Sequence, residues 1–81
     1  MEAIILGTKV LSALDFISVE INFGNGKATM ELPIDLACLE KVKTLSFPIA
    51  ADLEIGQCLQ RGKVELCVMH VWIEGGLHYD D

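Results

Sequence analysis

Apolar and polar residues alternate without a break along Ile17-Ser18-Val19-Glu20-Ile21-Asn22-Phe23, and again along Ala28-Thr29-Met30-Glu31-Leu32. A period of two sends alternate side chains to opposite faces, so both segments predict half-buried β-strands. Between them stands Gly24-Asn25-Gly26-Lys27. Asn-Gly suits a two-residue type I′ turn, whose central residues both need positive φ. That turn sets Phe23 against Ala28, Ile21 against Met30 and Val19 against Leu32, all on one face. The other face then opposes Glu20 to Glu31, a like-charged pair that a neighbouring lysine such as Lys9 or Lys63 would relieve. The pattern predicts a hairpin over 16–32.

Residues 3–11 (AIILGTKVL) are rich in β-branched and aliphatic types and predict a strand, with Gly7 placed for a bulge. Pro33 closes the hairpin and Asp35 is suited to cap a helix. Leu36, Leu39 and Val42, with Cys38 alongside, form a short apolar stripe, and Lys41 and Lys43 fall where they favour the helix dipole. The stretch 41–47 also tolerates a strand. Residues 50–60 predict a second helix, weakened by Gly56 and stopped by Arg61-Gly62. After Gly75-Gly76, residues 77–81 read as a flexible acidic tail on a single domain spanning 1–76.

The segment 63–73 (KVELCVMHVWI) is the strongest strand and breaks the simple rule. An uninterrupted strand carries Val64, Leu66, Val68, His70 and Trp72 on one face, and Glu65, Cys67, Met69, Val71 and Ile73 on the other. Both faces are mainly apolar, the pattern of a strand covered on both sides. In a chain of 81 residues one sheet layer and one or two short helices cover one face more easily than two. The expectation is therefore a companion surface, with Leu66, Val68, His70 and Trp72 as its interface. A small closed barrel is the alternative.

Composition narrows the function. Twelve acidic against six basic residues give a net charge of −6, which disfavours polyanion binding. Four of the six cations fall in two pairs, Lys41/Lys43 and Arg61/Lys63, the one arrangement able to build a local basic patch. The acids Glu20, Glu31, Glu54 and Glu74 offer a possible contact surface for a basic partner. The N-terminal residues predict no secretory signal, no run reaches the length of a membrane span, and three cysteines, Cys38, Cys58 and Cys67, lack framework spacing. Free thiols and a cytoplasmic location are expected.

Candidate chemistry is thin. Cys67 and His70 form a C-x-x-H string, yet on a regular strand they point to opposite faces and cannot share a zinc ion without a bulge. No orienting third group marks a cysteine nucleophile. Gly24-Asn25-Gly26-Lys27 lacks the strand-to-helix setting of a phosphate loop. No catalytic residue, metal or cofactor is expected.

The fold expected is small α+β, an antiparallel sheet built on the 16–32 hairpin with strands near 3–11 and 63–73 and one or two short helices. A small β-barrel of the oligonucleotide-binding kind is the alternative. The function expected is a non-enzymatic protein-interaction module, an acidic small regulator or inhibitor that pairs with a protein partner or with itself as a homodimer. A barrel binding single-stranded nucleic acid or a small ligand is the alternative; nucleic acid is the less expected partner, and no membrane association is expected.

Overall fold

Ile17, Val19 and Ile21 are all buried, as one face of an alternating strand should be. They belong to β2 (Leu14–Asn22) of a computed structural model that describes residues 1–11, 14–22, 24–60, 62–73 and 77–80. Its other strands are β1 (Glu2–Leu11), β3 (Lys27–Pro33), β4 (Ile49–Gln60), β5 (Lys63–Ile73) and β6 (Leu77–Asp80), with one helix, α1 (Leu36–Val42), between β3 and β4. The strands form one antiparallel sheet in the order β3-β2-β1-β4-β5-β6. The sheet curls so far that Ile34, just past β3, bridges Val68 of β5. The result is a mostly β half-barrel with α1 packed into it through Cys38, Leu39 and Val42.

The helix begins where its cap demands. Asp35 has extended backbone and its carboxylate accepts from the Ala37 N–H at 3.2 Å. The Asp35 N–H in turn donates to the Val68 carbonyl at 3.1 Å, which ties the start of α1 to β5.

The hairpin register differs from the expected one by two residues. Ile21 faces Ala28, Val19 faces Met30 and Ile17 faces Leu32. Asn22 pairs with Lys27, so four residues lie between the paired ends. Gly24, at φ +86°, takes the left-handed conformation, and its N–H donates to the Asn22 side chain at 3.0 Å. This replaces the two-residue turn at Asn25-Gly26. A slip of two keeps every side chain on its original face. It also separates the two carboxylates: Glu20 faces Thr29 and Glu31 faces Ser18. Lys27 lies 3.4 Å from Glu20 and Lys9 lies 3.3 Å from Glu31. The expected partner of Ala28, Phe23, lies outside the described residues.

Residues 50–60 are not a helix. Ala51 and Leu53 are buried while Ala50, Asp52 and Glu54 are exposed, which is period two and places them in β4. Pairing to both β1 and β5 outweighs the helical preference of Ala and Leu. Only one helix is therefore found among the described residues. Leu77–Asp80, expected as tail, pairs antiparallel with residues 70–73 of β5.

Candidate interaction site

The two-sided appearance of β5 has a local cause. Its pairing with β4 runs Glu54 with His70 and then Ile55 with Val68, so Met69 is an extra residue with no partner. A β-bulge of this kind reverses the in–out parity of everything beyond it. Val68, Val71 and Ile73 all reach the core, whereas His70 and Trp72 face outward with Cys67. The interface expected of Leu66, Val68, His70 and Trp72 is thus divided. Val68 is fully buried, Leu66 lies on the inward flank, and His70 stacks on Trp72 on the outer face with ring centroids 5.6 Å apart. The same device operates in β1, where the register shifts between Ile5 and Gly7. This is the bulge that Gly7 suggests.

Beyond the bulge, β4 and β5 outrun the barrel. β1 pairs with β4 only as far as Asp52, and β5 meets Ile34 at Val68. From Gly56 to Gln60 and from Lys63 to Cys67 the two strands pair only with each other among the described residues. They turn at Gly62, whose φ of +74° is a conformation glycine holds without strain. This two-stranded arm has unlike flanks. One carries Cys58 and Cys67, joined as a disulfide, with Met69 folded over Gly56. The expectation of three thiols therefore fails at Cys58 and Cys67, while Cys38 is buried and outside the disulfide. The other flank continues the inward positions past the core, with Gln57 facing Leu66 and Leu59 facing Val64. Among the described residues nothing covers it: Leu59 is 72% exposed, Val64 67% and Leu66 65%. Ile55, opposite Val68 and 37% exposed, continues this apolar flank toward the core. Together these side chains present on the order of 400 Å², a size at which an exposed apolar patch often marks an interaction site.

A second feature lies on the outer face. A groove of about 630 Å³ runs across β2, β1, β4 and β5, lined by Ile4, Ala50 and Trp72 and by the carboxylates of Glu2, Glu20 and Asp52. Two of those acids are already engaged, Glu20 by Lys27 and Asp52 by the Met1 amine at 2.7 Å.

The remaining sequence candidates do not converge. The bulge does bring Cys67 and His70 to one face, but the Cys67 sulfur is bonded to Cys58. Among the described residues no three His, Cys, Asp or Glu side chains are grouped to hold a metal ion. Of the acidic contact residues, Glu20 and Glu31 pair with lysines of the same chain, Glu54 lies 4.0 Å from His70, and Glu74 is outside the described residues. Lys43 pairs with Glu40 at 2.6 Å, and Arg61 lies outside the described residues. No described helix is long and apolar enough to cross a membrane. The arm was not visible as such in the sequence; its signal is the apolar run Leu59, Val64 and Leu66 around a Gly62 turn, hidden by the helical reading of 50–60.

No family model, no curated protein and no solved structure matches the chain.

Proposed function

We propose that this chain is a non-enzymatic protein-interaction module whose docking surface is the apolar flank of the β4–β5 arm. The observation that carries the proposal is the exposure of Leu59, Val64 and Leu66 on a ribbon that has no third strand among the described residues. A two-stranded ribbon alone is marginally stable, and a partner's apolar surface laid on this flank supplies what the chain itself does not. Docking led by acidic contacts draws less support, because Glu20 and Glu31 already have lysine partners. The partner is therefore a protein presenting an apolar ridge, and the association survives high salt.

A photo-crosslinking residue placed at Leu66 tests this in the cell of origin, with the same probe at Ala50 on the outer face as control. The expected result is a discrete protein adduct from position 66, absent from position 50 and lost in Leu59→Ser. No adduct at 66, or the same adducts at both positions, removes the reading.

The outer groove favours a second reading, a half-barrel that binds a small ligand beside Trp72. With Glu20 held by Lys27 and Asp52 by the Met1 amine, the groove offers Glu2 and the ring of Trp72, which suit an organic cation. Trp72 is the only tryptophan, so its fluorescence reports directly on occupancy. Titration with arginine methyl ester should shift the emission if this reading holds, and a flat response excludes it for that ligand.

A further inference from the structure

We infer that the free edge of β3 pairs with β3 of a second copy, in one register only. β3 ends the strand order; among the described residues its outer edge is unpaired from Lys27 to Pro33, and just beyond it the curl closes that edge on β5 at the Ile34–Val68 bridge. An unpaired edge of this kind is a template for another strand. β3 keeps an unbroken register with β2 and carries no bulge, unlike β1 and β5. Pro33 and the Ile34–Val68 bridge bound the usable window at one end, and residues 23–26 bound it at the other.

The occupant follows from face and charge. Two copies joined antiparallel about a two-fold axis share one continuous sheet, so opposed residues must lie on the same face. Ala28, Met30 and Leu32 point inward with their β2 partners; Lys27, Thr29 and Glu31 point outward. Registers that oppose an inward to an outward residue are excluded by that parity. A register centred on Met30 sets Lys27 against Pro33 and Thr29 against Glu31, leaving both charges unmatched. The register centred on Thr29 sets Lys27 against Glu31 of the second copy, twice, with Ala28 against Met30 beneath them. The outer row then reads Glu20, Lys27, Glu31 and Lys9 across the junction, alternating in sign, since Lys27 already lies 3.4 Å from Glu20 and Glu31 lies 3.3 Å from Lys9. The inner row covers Met30, which is 38% exposed although it sits on the core side of the sheet. A single strand edge buries little area, so the dimer forms and dissociates with concentration.

Sedimentation equilibrium from 10 µM to 1 mM, chosen to bracket a weak edge contact of this kind, should show a monomer–dimer equilibrium. Lys27→Glu should weaken it at least about tenfold by opposing like charges twice, and Lys27→Glu with Glu31→Lys should restore it. Thermal melts at the lowest concentration check that each variant is folded. Register is read by cysteine crosslinking: Thr29→Cys places two thiols across the axis at about 4.5–5.5 Å between Cα atoms, within disulfide reach, whereas Lys27→Cys places them roughly 14 Å apart. Crosslinking at 29 and not at 27 is the expected result. A monomer at every concentration overturns the inference. So does a dimer that is indifferent to the charge exchange and abolished by Leu66→Ser, which would assign self-association to the arm.

Discussion

Met69 lies across Gly56: a methyl group built on Gly56 would stand 2.7 Å from the Met69 Cγ. The bulge that reverses β5 and the glycine opposite Cys67 are thus two halves of one arrangement. Met69 is the extra residue, and the space over Gly56 receives its side chain. Gly56→Ala should destabilise the fold by about 1–3 kcal/mol through overpacking. Met69→Ala should relieve most of that loss, because the nearest remaining Met69 atom, Cβ, is 3.6 Å away. Urea denaturation of the two single variants and the double variant measures the coupling, and strictly additive losses would contradict the contact.

Val68 and Leu66 occupy inward positions two residues apart, yet one is fully buried and the other 65% exposed. Val68→Ala should cost about 2 kcal/mol from lost burial and the cavity left behind. Leu66→Ala should change stability by no more than about 0.5 kcal/mol. Equal losses in chemical denaturation would mean that the arm flank is covered within the monomer.

Asp35 serves both the α1 cap and the junction with β5. Asp35→Ala should cost about 1 kcal/mol, and Asp35→Asn or Asp35→Ser should recover most of it, since the β5 contact uses the backbone N–H. A loss that no capping residue recovers would point to a role for the carboxylate beyond the cap.

Alkylation under denaturing, non-reducing conditions should label one cysteine of the three, Cys38, and label all three after reduction. Peptide mass mapping decides this directly. Reduction should also lower the urea midpoint, corresponding to a stability loss of at most about 3 kcal/mol for a loop this short. Labelling of Cys58 and Cys67 without reductant would remove the cross-strand bond.

Some of this architecture lies open in the chain. The alternation from Ile17 to Asn22 and from Ala28 to Leu32 assigns faces correctly even though the register is displaced by two, because parity repeats every two residues. Asp35 ahead of the Leu36, Leu39 and Val42 stripe locates the helix, since a cap and its first turn are contiguous. Gly7 marks the β1 bulge for a similarly local reason.

What the chain concealed depends on partners distant in sequence. Residues 50–60 are helix-compatible in isolation, and pairing on both edges makes them a strand. Residues 77–80 become β6 only because β5 leaves an edge open at 70–73. Most consequential is Met69. A bulge is a mismatch between two strands, so no property of KVELCVMHVWI alone reveals it. Without it β5 reads as apolar on both faces; with it, one apolar series runs from the exposed arm through Val68 to Val71 and Ile73 in the core. Local periodicity records which side chains share a face. Long-range pairing alone decides where that face turns over and where it runs out of cover.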